Sequence, residues 1–210
     1  MTPLKKRGLS LLLAVAALST SAIAQTYNFS AFETSGVSDP DLIIPINLNA
    51  TISTNGSSVD VIISNDCTPG DGWITSEIPT ITKIAFDDDA GLLPTPTFAN
   101  NPPTVVFNAD DTVNIPGSNN IGFDTTYGFT ADPPPTYTGI DPGEHFVVSF
   151  ENTDIKDLRK AIINGDIRIA IHVQQIGEND SASFVTVVPE PSSAMLIGLA
   201  SLTCLLRRKR

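Results

Sequence analysis

Three kinds of side chain in this sequence could do chemistry, and each occurs in a run short enough to judge by its spacing. Asp87, Asp88 and Asp89 are consecutive at the end of an apolar stretch, and Asp110 and Asp111 form a second pair. Carboxylates gathered in strand-connecting turns offer the hard oxygen ligands that calcium takes. Neither run has the spacing of an EF-hand or a repeat-type calcium loop, so solvated turn residues are the simpler reading and calcium is the one cofactor suggested. Trp73 lies in the turn Gly70-Asp71-Gly72-Trp73, and Tyr127 and Tyr137 flank the Pro-rich stretch 132–136. Such flat amphipathic rings could form a stacking platform for sugars, although core packing is the plainer role. His145 and His172 are the two imidazoles; one opens a strand-like segment and the other lies on the polar side of one, which points to surface or rim positions rather than a general base. No G-x-S-x-G, H-E-x-x-H, C-x-x-C, G-x-G-x-x-G or P-loop occurs. With 23 acidic residues, spacing cannot select a glycosidase pair. The expectation is a protein that is not an enzyme.

The elements that must carry these residues are short and mostly of period two. Ile167, Ile169, Ile171 and Val173 alternate with Arg168, Ala170, His172 and Gln174, while Phe146, Val148 and Phe150 alternate with Val147 and Ser149. Further strands are expected at Tyr27–Phe32, Asp41–Ser53, Val59–Asn65, Ile78–Phe86, Thr104–Asn108, Ile121–Phe129 and Ser183–Val187, separated by Pro, Gly, Asn and Asp clusters. One helix is expected over Asp154–Asn164, where Ile155, Leu158, Ala161 and Ile162 share a face, with Thr153 or Asp154 as N-cap and Gly165 as stop. The stretch Ala109–Asn120 and the Pro-rich loop read as surface excursions. The fold class expected is all-β: one antiparallel β-sandwich or jelly-roll-like domain over residues 25–187, with one short helix.

Charge limits the partners. All 23 acidic residues fall between Glu33 and Glu190, where only Lys83, Lys156, Arg159, Lys160 and Arg168 oppose them. That surface repels phosphate backbones, which excludes nucleic acid as a partner, and the sequence shows no basic patch for peripheral membrane binding. Cys67 and Cys204 lie in different parts of the chain, so no internal disulfide is expected and Cys67 reads as a buried thiol.

The two ends have their own logic. Lys5, Lys6 and Arg7 precede the apolar run Leu9–Leu18, and Ala22 and Ala24 form an A-x-A-like site, so residues 1–24 read as a signal peptide cut by signal peptidase before Gln25. At the other end, Val188-Pro189-Glu190-Pro191-Ser192 leads into the uncharged run Ala194–Leu206 and then Arg207, Arg208, Lys209 and Arg210. The run spans ~20 Å as helix, short of the ~30 Å hydrocarbon core, so flanking serines and snorkelling arginines must extend a short transmembrane helix. The four terminal cations should remain cytoplasmic and fix its topology. Pro189 and Pro191 keep Glu190 on an extended, accessible backbone.

A Pro-Glu-Pro triplet, one short apolar helix and a terminal basic cluster, in that order, strongly resemble the PEP-CTERM sorting domain, a tail also labelled ice-binding protein C-terminal domain. The resemblance covers residues 188–210 and implies recognition of Pro189, Glu190 and Pro191 by an exosortase-type membrane transpeptidase, which removes the helix. It implies an exported precursor anchored in the inner membrane and then delivered to the cell surface or beyond. Segments such as Ile84-Ala85-Phe86-Asp87-Asp88-Asp89 and Gly139-Ile140-Asp141-Pro142-Gly143-Glu144 resemble the all-β ectodomains found ahead of such tails. The function expected is a surface or extracellular-matrix protein with a structural or interaction role. The alternative is a carbohydrate-binding module for cell-surface or extracellular polysaccharide, using Trp73, Tyr127 and Tyr137.

Overall fold

The computed structural model describes residues 24–34, 37, 47–68, 78–176 and 180–187. The expected signal peptide, the segment Asp41–Ile46, Trp73 and the whole 188–210 tail lie outside the described residues. Ten strands form: β1 Gln25–Glu33, β2 Leu48–Asn55, β3 Ser58–Asn65, β4 Thr80–Asp88, β5 Thr97–Asn101, β6 Phe107–Ala109, β7 Tyr127–Ala131, β8 His145–Glu151, β9 Ile167–Gln174 and β10 Ser181–Thr186. β1 begins at Gln25, the residue expected to start the mature chain.

The strands make one antiparallel sheet in the order β5-β8-β3-β2-β1-β10-β9-β4-β7-β6. β1 turns the corner: its first half, Gln25–Asn28, pairs with β2, and its second half, from Phe29, pairs with β10 after a change of partner. The two wings thus belong to one continuous sheet, and aromatic rings lock them face to face. Phe150 on β8 meets Phe86 on β4 at 5.4 Å, and Phe146 on β8 meets Phe129 on β7 at 5.4 Å and Phe107 on β6 at 4.8 Å. Edge and tilted contacts of this kind add to the area that rings remove from water. The terminal strands β5 and β6 approach without a backbone ladder. The Asn100 carboxamide stands in for one, accepting from the Phe107 N–H at 3.0 Å and donating to its carbonyl at 3.5 Å. The result is a nearly closed sheet of the expected antiparallel β class.

The expected helix is present as α2 (Ile155–Asn164), after the four-residue α1 (Pro135–Thr138). Asp154 caps α2 by accepting from the Lys156 N–H at 2.7 Å, and Gly165 ends it at φ 81°, a left-handed conformation that glycine takes without penalty. Ile155, Leu158, Ala161 and Ile162 face the main core. α2 runs from the end of β8 to the start of β9 and closes that end of the barrel. Tyr27 is fully buried near it, and burial pushes its phenol up, with Arg159 pulling the other way.

Several sequence expectations need correcting. β5 was not foreseen, because it is an edge strand whose residues Thr97-Phe98-Ala99-Asn100 are all exposed, with no alternation. The strand expected at Ile121–Phe129 starts only at Tyr127, since Ser118–Ile121 form a 3₁₀ turn. β9 is covered on both faces: Ala170 and His172 are buried as well as the isoleucines. The cover over Ala170 is the segment 110–125, which is no surface excursion but a strap packed on the outside of the sheet.

Candidate functional site

The outer face of β4, β9 and β10 alternates with the core face, so Lys83, Ala85 and Asp87 share a surface with Arg168, Ala170 and Val185. The strap places Val113, Ile115 and Phe123 over Ala85 and Ala170, with Phe32, Ile121 and Val185 at the margin. Small alanines let the covering segment approach, and Gly128 lets it come closest. A Cβ on Gly128 would meet Val113 Cγ1 at 2.1 Å and the Asp110 carbonyl oxygen at 2.4 Å.

Arg168 latches this strap. Its guanidinium donates to the carbonyl of Ile121 at 2.8 Å, to that of Gly122, and to the Asp87 carboxylate, and it lies over the Phe123 ring at 5.3 Å. Asp87 is buried and also accepts from the Asp124 N–H at 3.2 Å. Lys83 holds the other limb by donating to the Asn114 carbonyl at 3.1 Å. Asp88 accepts from the N–H groups of Leu92 and Leu93 at 3.1 and 2.7 Å, which orders a turn, while Asp89 is exposed. The three adjacent carboxylates therefore point to three different tasks. Among the described residues no three His, Cys, Asp or Glu side chains are grouped to hold a metal ion.

His172 is the other charged-type group on this face, and the rim position expected for it is corrected by its burial. Its Nδ1 lies 3.2 Å from the Ser183 hydroxyl on β10, and both residues are inaccessible. Burial pushes the imidazole down to about 4, with the Lys83 ammonium adding to the effect and a hydrogen bond to the Ala182 backbone opposing it. The ring is neutral at pH 7 and packs between β9 and β10. At the opposite end of the barrel from α2, buried Asn65 donates to the carbonyls of Pro79 at 2.7 Å and Ile140 at 3.0 Å. Asp141 accepts from the Thr80 hydroxyl at 2.5 Å, and burial pushes its carboxyl up, against that hydrogen bond and together with the charge of Glu144. These groups satisfy one another.

The remaining feature is the exit of the chain. β10 is an inner strand, paired with β1 and β9 on its two sides, and among the described residues its final bond is Val187 N–H to the Asn28 carbonyl at 2.9 Å. A family model described as PEP-CTERM protein-sorting motif matches residues 187–210. The tail is a PEP-CTERM sorting motif. It starts at Val187 itself, so a single residue, Val188, separates that bond from Pro189-Glu190-Pro191. No curated protein and no solved structure matches the chain.

The recognition residues Pro189, Glu190 and Pro191 and the topology residues Arg207, Arg208, Lys209 and Arg210 lie outside the described residues. So does the expected helix 194–206; among the described residues no helix is long and apolar enough to cross a membrane. Of the three rings considered for sugar stacking, Trp73 lies outside the described residues, and Tyr127 and Tyr137 are not brought together. Tyr127 opens β7, half-buried, with its hydroxyl on the Leu93 carbonyl at 3.1 Å, whereas Tyr137 lies beyond the other end of β7, 79 % exposed. The strap latch, by contrast, escaped sequence reasoning, although a lone arginine in an isoleucine-rich strand was its visible signal.

Proposed function

We propose that the chain is an exported precursor whose job before processing is to hold an acidic β domain at the membrane, and whose processing delivers that domain to the cell surface or beyond. Signal peptidase removes residues 1–24, the apolar run 194–206 holds the C-terminus in the inner membrane, and an exosortase-type transpeptidase acts at Pro189-Glu190-Pro191. The delivered domain then has a structural or interaction role. The observation that carries this reading is the sorting motif at 187–210, which begins at Val187, a residue still bonded to the sheet beside an inner strand. The short apolar run is an adequate anchor, and the four terminal cations oppose its outward slippage, so release requires a cut rather than extraction.

The test is mass spectrometry of the C-terminus in surface and medium fractions from a strain with an exosortase. The wild type should have lost Ala194–Arg210, and the variant with alanine at positions 189, 190 and 191 should remain in the inner membrane. Surface protein that still ends in Arg207–Arg210 would overturn the proposal.

A further inference from the structure

The folded domain has few positive charges, and their placement is uneven. Arg168 is engaged with Asp87 and strap carbonyls, and Lys83 with Asn114. The exposed cations between residues 25 and 187 are Lys156 and Lys160, both on the outward face of α2, with half-buried Arg159 on the same helix. Three of the exposed large apolar side chains, Leu92, Ile163 and Val187, are at this end of the barrel too. A cleft of about 230 Å³ between α2 and the turn after β4 is lined by Leu92, Asp157, Lys160, Ala161, Asn164 and Asp166.

This is also the end from which the chain leaves. The pairing of Val185 with Ala170, carried two residues further, sets Val187 opposite Arg168, three residues after the Gly165 stop of α2. Residues 188–193, even fully extended, span only ~20 Å before the apolar run begins at Ala194. The headgroup layer takes up several ångströms of that reach. An anchored precursor therefore keeps the α2 end close to the bilayer, and that end has the exposed lysines.

We propose that the α2 end of the barrel is a lipid-facing surface that rests the precursor's domain on the headgroup layer. Lys156 and Lys160 take lipid phosphates, Asp157 and Asp166 take the ammonium of a zwitterionic headgroup, and Leu92, Ile163 and Val187 face the acyl boundary. Both signs of charge in one cleft suit a layer containing phosphatidylethanolamine better than a purely anionic one. The surface rests on the anchoring reading above and adds an orientation to it: the Pro-Glu-Pro segment is held at the membrane beneath a docked domain. Docking of this kind is weak by itself and is made effective by tethering, which raises the local concentration of the partner.

The experiment uses the full precursor with Cys67→Ala and Cys204→Ala, labelled at a single new cysteine, Asn164→Cys beside the cleft or Tyr137→Cys at the far end. It is reconstituted in protein-free vesicles of phosphatidylethanolamine and phosphatidylglycerol carrying a headgroup-level quencher. Quenching is expected at 164 and absent at 137, and the added pair Lys156→Gln and Lys160→Gln should abolish it while the chain still floats with the vesicles. Equal quenching at the two positions, none at either in a floating chain, or quenching at 164 that survives the lysine changes overturns the proposal. Protection of position 164 that requires a co-reconstituted exosortase overturns it in favour of a protein partner. A chain that does not float overturns the anchoring reading itself, a failure distinct from loss of orientation.

Discussion

The two faces of the β4–β9–β10 wing are built on different principles. The inner face contributes isoleucine and phenylalanine to a core closed by rings from the opposite wing, and it has few polar groups. The outer face is covered by a single strap, whose small apolar cluster is held down by Arg168, Lys83 and the close approach at Gly128. Apolar burial is non-directional and tolerates some rearrangement, whereas a latch made of one guanidinium depends on every partner being in place. The inner face should govern whether the domain folds, and the outer face how much of it stays closed and at what pH.

The largest effect expected is in the core that the inner face shares with the opposite wing. Phe146→Ala removes a fully buried ring that contacts Phe98, Phe107 and Phe129 and should cost ~3–5 kcal/mol, read by urea denaturation as a single cooperative loss of the whole domain. A second, earlier transition confined to the strap would show that the two faces unfold separately, and would break the comparison from the other side.

Acid should act on the outer face. His172 takes up its proton at about 4 in the folded chain, against about 6.5 when unfolded. Because the folded pKa is depressed for a base, the unfolded chain binds the proton first, so stability falls as pH drops from about 6.5 to about 4 and levels off below. The loss from this group is of order 3 kcal/mol. His172→Gln should flatten the melting temperature across that window; an unchanged slope would mean that His172 is not its source.

Arg168→Ala leaves the Asp87 carboxylate buried without its partner and frees two strap carbonyls. Arg168 is itself partly exposed and water can compensate some of the loss, so ~2 kcal/mol is expected rather than the full cost of a deeply buried pair. Hydrogen exchange should quicken at 110–125 before it does in β8. The smallest effect belongs to Gly128→Ala, which must push the strap, at Val113 and the Asp110 carbonyl, away from β7 at ~1–2 kcal/mol. Adding Val113→Ala should recover only part of it, because the carbonyl contact remains.

What the sequence by itself determined was everything that local pattern encodes. Alternating isoleucines specified β9, alternating phenylalanine and valine specified β8, and Asp154, the 155–162 apolar face and Gly165 specified α2 to within a residue. The C-terminal tail was legible for the same reason, since a Pro-Glu-Pro triplet, an apolar run and a basic terminus are read in order along the chain. Only the tertiary structure decided which polar-looking positions are covered. His172 alternates as if it faced water, Asp87-Asp88-Asp89 looks like one acidic cluster, and Val113, Ile115 and Phe123 follow no period at all. Each acquires its role from residues tens of positions away: Ser183 and Lys83 around the imidazole, Arg168 against Asp87, Ala85 and Ala170 under the strap. Burial of the second face of a strand depends on whether another segment returns to cover it, and chain return is a long-range event that leaves no spacing in the strand concerned. The same holds for the lysines of α2, which a sequence reads as a solvated helix face and which the register of β10 brings to the end where the chain departs.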